Sequence, residues 1–217
     1  MGNKANREID NAYDKEAEAE SKQRVANEIG AYIRIIIIAI VIAVVLFKLI
    51  LINAYVPSGS MERTIDAETS VLGFRLSYLF DEPERGDIIV FKYPVDEELK
   101  YIKRIIGLPG ETVEISDGKI YINGSETPLE EDYISEEWTN NNDGFYYEVP
   151  EDSYFVLGDN RNESLDSRYW ASEALSLNVA QTQEEAYSYS FVKEDQIVAE
   201  GILTYWPKFS IIKGADY

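Results

Sequence analysis

Between Ile33 and Ile52 the chain reads IRIIIIAIVIAVVLFKLILI. About 20 mostly apolar residues, coiled as an α-helix, match the hydrocarbon thickness of a bilayer. In lipid such a segment must satisfy its own backbone groups, which leaves the helix as its one spanning form. The run is apolar on all faces and holds no Gly or Pro, which argues against a helix of a soluble core. Arg34 at its start and Lys48 near its end can both snorkel toward an interface. The run is longer than the apolar part of a cleavable signal and follows more than 30 residues of preamble, so it reads as an uncleaved anchor. Lys4, Arg7, Lys15, Lys22, Arg24 and Arg34 precede it or open it. Basic residues stay on the cytoplasmic side, and the acids among them count for little. The expectation is a single-pass cell-membrane protein with a cytoplasmic N-terminus and an extracytoplasmic C-terminal part.

This divides the chain into a polar cytoplasmic tail over 1–31, an anchor helix over 32–53 and an extracytoplasmic domain over 54–217. The tail reads as a solvated helix or as disorder. After Asn53 the texture changes to short runs rich in β-branched and aromatic residues: Ile88–Phe91, Thr112–Ile115, Lys119–Ile122 and Tyr154–Leu157. Turn signals such as Pro109-Gly110, Asp117-Gly118 and Asn123-Gly124 separate them. The pattern predicts a mainly β, antiparallel domain behind the single helix, with a hairpin across Asp117-Gly118. Two stretches read as insertions in the form of surface loops or short helices: 130–142, acidic and Asn-rich around an isolated Trp138, and 171–190, polar and alanine-bearing.

Composition excludes several chemistries. The chain has 217 residues and a formal net charge of −20, so no basic surface is available to bind nucleic acid. It contains no histidine and no cysteine. A Ser-His-Asp triad, a thiol nucleophile and a disulfide are therefore impossible, and a zinc site is not expected. A serine nucleophile here needs another base, for which lysine is the attested alternative.

Three segments carry candidate chemistry. Pro57-Ser58-Gly59-Ser60-Met61 lies just beyond the anchor, and Ser60 is eight residues past Ile52. At about 3.3 Å per residue of extended chain, Ser60 stays close to the membrane surface. The neighbouring Ser58 hydroxyl or the Ser60 N–H suits an oxyanion. Lys103 sits in the strand-like run Tyr101–Ile106, where alternation puts Tyr101, Lys103 and Ile105 on one face. An amine between apolar side chains is desolvated, which lowers its pKa toward the range of a general base. Gly158 to Arg168 is a dense polar stretch in which Asp166 and Arg168 suit an ion pair and Ser164 or Ser167 could orient a lysine amine. Each segment also has an ordinary reading: a Ser-Gly turn, an edge-strand lysine facing water, a solvated loop. Taken singly, the ordinary reading is the stronger one for each.

Together the segments resemble type I signal peptidase, the membrane-bound Ser/Lys leader peptidase of family S26, in its single-span bacterial form. The resemblance runs from the membrane span through Pro207. It rests on Val56-Pro57-Ser58-Gly59-Ser60-Met61, Arg85-Gly86-Asp87-Ile88-Ile89-Val90-Phe91, Tyr101 to Gly110, and Gly158 to Arg168, in the family's order. It implies Ser60 as acylating nucleophile and Lys103 as neutral general base. Ser58 would serve the oxyanion, Ser164 would orient the lysine, and Asp166 and Arg168 would support the site. Tyr55, Val56, Met61, Tyr101 and Ile102 would line pockets for small side chains in the Ala-x-Ala pattern. No cofactor and no metal are implied. The implied partners are signal-peptide-bearing precursors and the lipid bilayer, with a secretion translocon as a further one.

The chain departs from the family pattern at Arg63, where a proline is usual before Thr64, and at Asn162-Glu163, where Asp-Asn is usual before Ser164. One family branch replaces the lysine base with histidine, and this histidine-free chain stands outside it. Two other classes remain to be weighed. One is a non-catalytic assembly factor for surface appendages on the same fold, which need not keep the dyad. The other is a self-cleaving Ser/Lys repressor, against which the span and the acidic charge both argue.

Overall fold

The computed structural model describes residues 2–134 and 136–215. Helix α1 covers Gly2–Ile50. Its part over Ser21–Ile50 is long and apolar enough to cross a membrane. Isoleucines, valines and leucines around this part are exposed on every side, as lipid-facing residues of a lone span must be. The polar tail and the apolar run thus form one continuous helix. It ends at Ile50, three residues short of the expected anchor boundary. Leu51, Ile52 and Asn53 belong instead to a strand, because each finds a backbone partner in a neighbouring strand, Leu51 with Phe74 through Asn53 with Leu72.

The remaining residues form a β-rich unit. Its strands are β1 (Leu51–Val56), β2 (Thr69–Phe74), β3 (Ile88–Tyr93), β4 (Asp96–Gly107), β5 (Thr112–Ser116), β6 (Lys119–Ile122), β7 (Phe145–Glu148) and β8 (Ser153–Leu157). Helices α2 (Trp170–Ser176) and α3 (Gln183–Ser188) follow, then β9 (Val192–Lys193), β10 (Ile197–Trp206) and β11 (Ser210–Ile211). The larger sheet runs β1-β2-β10-β3-β4-β8-β9, with β11 on β10, and the smaller runs β6-β5-β7. All the pairings are antiparallel.

The β5–β6 hairpin turns at Asp117-Gly118, both with positive φ (48° and 70°). Those are the backbone angles that a two-residue turn needs to match the twist of its strands. The larger sheet is covered on both faces. Ile89, Phe91, Ile105, Val156 and Trp170 pack in one core. Ile88, Val90 and Ile102 join Val56, Met61, Ile65 and Val71 in another. Burial on both faces explains why the β3 sequence Ile88-Ile89-Val90-Phe91 is apolar without alternation.

Strand β4 is the longest in the unit and serves two neighbours unequally. It pairs with β3 from Asp96 to Arg104, but with β8 only from Arg104 to Gly107. On the β8 side, residues 96–103 have no strand partner among the described residues. The strand β1 likewise has β2 alone.

Candidate active site

Ser60 is positioned by the turn that follows β1. The Glu62 and Ile65 amides donate to the Gly59 and Met61 carbonyls, and the fully buried Met61 and Ile65 side chains anchor the turn to the core. Ser60 itself is buried. Strand β4 brings Lys103 to it: Lys103 Nζ donates to Ser60 Oγ at 2.8 Å and to the Ile102 carbonyl at 3.0 Å. The Ser58 hydroxyl lies 3.4 Å from Ser60 Oγ, at the mouth of the same site. Strand parity sends Lys103 to the side of Tyr101 and Ile105, and the Tyr101 ring centroid is 5.6 Å from the amine.

Lys103 is 4% exposed, and among the described residues no carboxylate forms an ion pair with its amine. Burial pushes its pKa down from 10.5 to about 8, against the pull of Asp166 and Asp159, with Arg168 adding to the depression. A lysine in water is almost wholly protonated at neutral pH. This one carries a usable lone pair just above it.

The polar stretch after β8 wraps around Ser60. The Asn160 amide donates to the Ser60 carbonyl at 3.1 Å. Gly158 is required there, since a Cβ at this position would strike both the Ser60 carbonyl and the Ser164 hydroxyl. The Ser164 hydroxyl is buried and has no hydrogen-bond partner among the described residues. Asp166 and Arg168 form a fully buried two-pronged pair, Nε to Oδ1 and Nη2 to Oδ2 both at 2.8 Å. Asp166 Oδ2 also accepts from the Gly158 amide at 3.1 Å, and Arg168 donates to the Arg161 carbonyl at 2.8 Å. Arg161 Nε returns to the Gly158 carbonyl at 3.0 Å. These bonds close a ring that sets the curvature of the stretch.

A cleft of about 350 Å³ opens over Ser60 and Lys103. Tyr55, Val56, Tyr101 and Ile102, four of the expected pocket residues, line it. Met61 does not. It is fully buried against Val56 and Val71, because the turn that aims Ser60 at the cleft rotates its neighbour into the core. Glu163 and Leu165 form a further wall.

Sequence reasoning missed three parts of the frame. Arg104 points to the opposite face from Lys103 and makes a buried two-pronged pair with Asp159, at 2.8 and 2.7 Å. Thr64, in the turn that carries Ser60, donates to the same carboxylate at 2.5 Å. Arg161 is paired with Glu131, both nearly sealed from solvent. Asn162 accepts from the Thr139 and Asn140 amides and donates to the Glu137 carbonyl. Trp138 lies against the Arg161 and Arg168 guanidinium groups, 4.9 and 5.1 Å from its ring centroid. The 130–142 stretch is therefore a strap on the back of the site. A signal was present, since a buried arginine needs a counter-ion and an acidic segment with one tryptophan can provide both charge and cover.

Residues 29–206 match the family model described as signal peptidase, peptidase S26. Signal peptidase I of Leptolyngbya laminosa is 34% identical over 202 residues, covering 87% of this chain and 85% of that protein. Probable signal peptidase I-2 of Synechocystis sp. is 35% identical over 179 residues, covering 78% and 69%. The crystal structure of a signal peptidase I from Enterococcus faecalis V583 is 35% identical and covers 55% of this chain and 97% of that one, with a TM-score of 0.39. The chain belongs to the signal peptidase family S26. It is a hydrolase of signal-peptidase type, a serine peptidase held by one N-terminal membrane span with its β domain extracytoplasmic.

Proposed function

We propose that the chain removes signal peptides from exported precursors by a Ser60/Lys103 acyl-enzyme mechanism, cutting after small residues in the Ala-x-Ala pattern. The observation that carries the reading is the 2.8 Å contact between Ser60 Oγ and a buried lysine amine. In the first half-reaction the neutral Lys103 amine takes the Ser60 proton as Oγ bonds to the scissile carbonyl carbon. The negative charge that develops on the carbonyl oxygen is met by the Ser60 N–H and the Ser58 hydroxyl. The lysine ammonium then protonates the departing amine, the C–N bond breaks and the signal peptide remains as an ester on Ser60. Water attacks the ester, Lys103 takes its proton, and the ester oxygen leaves with that proton to restore Ser60.

The resemblance gives Ser164 the role of orienting the amine, which its hydroxyl would take up on turning toward Lys103, since it makes no hydrogen bond among the described residues. Asp166 and Arg168 hold its loop. The precursor lies extended in the cleft against the unpaired half of β4, adding as a strand, so its side chains alternate into and out of the walls. The division into a tail over 1–31, an anchor and a peptidase domain suits precursors that emerge from a secretion translocon beside the bilayer.

The test is cleavage of a purified precursor in liposomes across pH. Wild type should show kcat/KM rising through about pH 8, as the lysine gives up its proton. Lys103→Ala and Ser60→Ala should both be folded and at least a thousandfold slower, on the order expected for loss of the base or nucleophile. Full activity in either variant overturns the mechanism. A folded wild type that cuts no precursor would favour the assembly-factor reading.

A further inference from the structure

We infer that Glu163 makes the cleft selective for precursors with a basic side chain beside the scissile bond. The inference rests on the proposed peptidase reading and specifies its substrate class. Glu163 and Leu165 both line the cleft that contains Ser60 and Lys103, whereas Ser164 between them is buried. The local chain therefore alternates: one hydroxyl turns in toward Gly158 and the two flanking side chains project into the space a precursor would fill. Glu163 is the one carboxylate of the cleft wall among the described residues. It has no ion-pair partner among them. It is also one of the positions at which this chain departs from the usual family pattern, where a neutral asparagine stands.

A neutral amide accommodates either sign of charge in a neighbouring substrate side chain. A carboxylate in a partly apolar cleft attracts a cation and repels an anion, and both effects act on the same ratio. Lys100 lines the same cleft and also the adjoining groove with Glu98 and Leu99. It approaches no carboxylate closely enough for an ion pair among the described residues, so it does not neutralise Glu163. Both charges lie on the cleft wall with no ion-pair partner among the described residues, and a substrate side chain beside Glu163 meets a negative one.

The experiment uses the full-length protein in liposomes and a set of signal-peptide substrates. Each carries Lys, Gln or Glu at one position, from the third residue before the cut to the second after it. Wild type should prefer Lys to Glu at one of these positions, by about three- to fivefold in kcat/KM, as expected for an exposed charge pair. The ratio should fall to about one in Glu163→Gln and invert in Glu163→Lys, with circular dichroism confirming that both variants are folded. Raising salt should shrink the wild-type ratio. Glu114→Gln removes the same charge from the smaller sheet and should leave the ratio intact. An unchanged ratio in Glu163→Gln overturns the inference. So does an equal loss in Glu114→Gln, which would assign the preference to the whole acidic surface. Failure to cut any substrate in the set counts against the peptidase reading itself, whereas cutting without preference counts against Glu163 alone.

Discussion

The stretches 130–142 and 171–190 look alike as sequence, polar and insertion-like, yet the structure attaches them by opposite means. The second folds into α2 and α3 and is held by apolar burial. Ala174 and Ala186 are wholly buried, and Trp170, which opens α2 just before the stretch, is wholly buried too and packs against Phe91 with a centroid distance of 5.8 Å. Thr182 caps α3 by accepting from the Glu185 amide. The first has no strand or helix over residues 130–142 outside the undescribed Ser135, and it is held by charge and amide contacts. Glu131 reaches Arg161, Arg63 donates to the Ile134 carbonyl at 2.6 Å, and Asn162 clasps residues 137–140. Burial works against the Arg161 charge, yet Glu131 beside it holds the guanidinium above the usual arginine range. Apolar attachment adds mass to a core. Polar attachment transmits position, and here it leads to the loop that carries Ser164.

Two departures from the family pattern find a purpose in that difference. Arg63 has a φ of 80°, which proline cannot adopt, and its side chain bonds the strap. Asn162 makes the other clasp. Their sequence positions are 99 residues apart, but both residues secure the same segment.

The largest effect should come from Glu131→Ala. It strands a buried arginine, which costs on the order of 3–5 kcal/mol. Thermal unfolding and precursor cleavage should fall together, and loss of stability with unaltered turnover would break the link between strap and site. Ala186→Leu overfills the second stretch and should cost about 1–3 kcal/mol. Here Tm should drop while kcat of the folded fraction holds. A matching loss of kcat would mean that both stretches steer the site. Asn162→Ala should cost about 1–2 kcal/mol in lost hydrogen bonds. Its signature is a lower kcat at little-changed KM, and the reverse would point to substrate contact instead.

Lys103→Met supplies a contrasting case within the site. The folded pKa of about 8 lies below the unfolded value of 10.5, so the unfolded chain binds more protons between them. The burial penalty is full below pH 8 and is relieved as pH rises toward 10.5. The variant should therefore be inactive yet more stable than wild type at pH 7, by up to a few kcal/mol, with the gain vanishing in alkaline solution. Denaturant unfolding at two pH values checks the sign.

The span, the β-rich domain and the Asp117-Gly118 hairpin could be read from sequence because each depends on local signals: length, alternation, turn chemistry. Parity and apolar neighbours make Lys103 a candidate for burial, but a water-facing edge lysine is the stronger reading until the other motifs stand beside it. What escaped was long-range pairing. Nothing near Arg104 predicts Asp159, and nothing near Arg161 predicts Glu131, because each pair is joined only when β4, β8 and the strap come together. Met61 escaped for a smaller reason: adjacency in sequence says nothing about which way a turn rotates consecutive side chains.

The depressed basicity of one amine has a consequence beyond the reaction proposed for it. With half-protonation near pH 8, roughly one chain in ten holds the Lys103 amine neutral at pH 7, and fewer do in acid. The β domain that carries this amine lies on the extracytoplasmic side of the membrane. Under the proposed chemistry, maturation of exported proteins would slow about tenfold for each unit of external acidification below that point, an environmental throttle set by the burial of a single nitrogen atom.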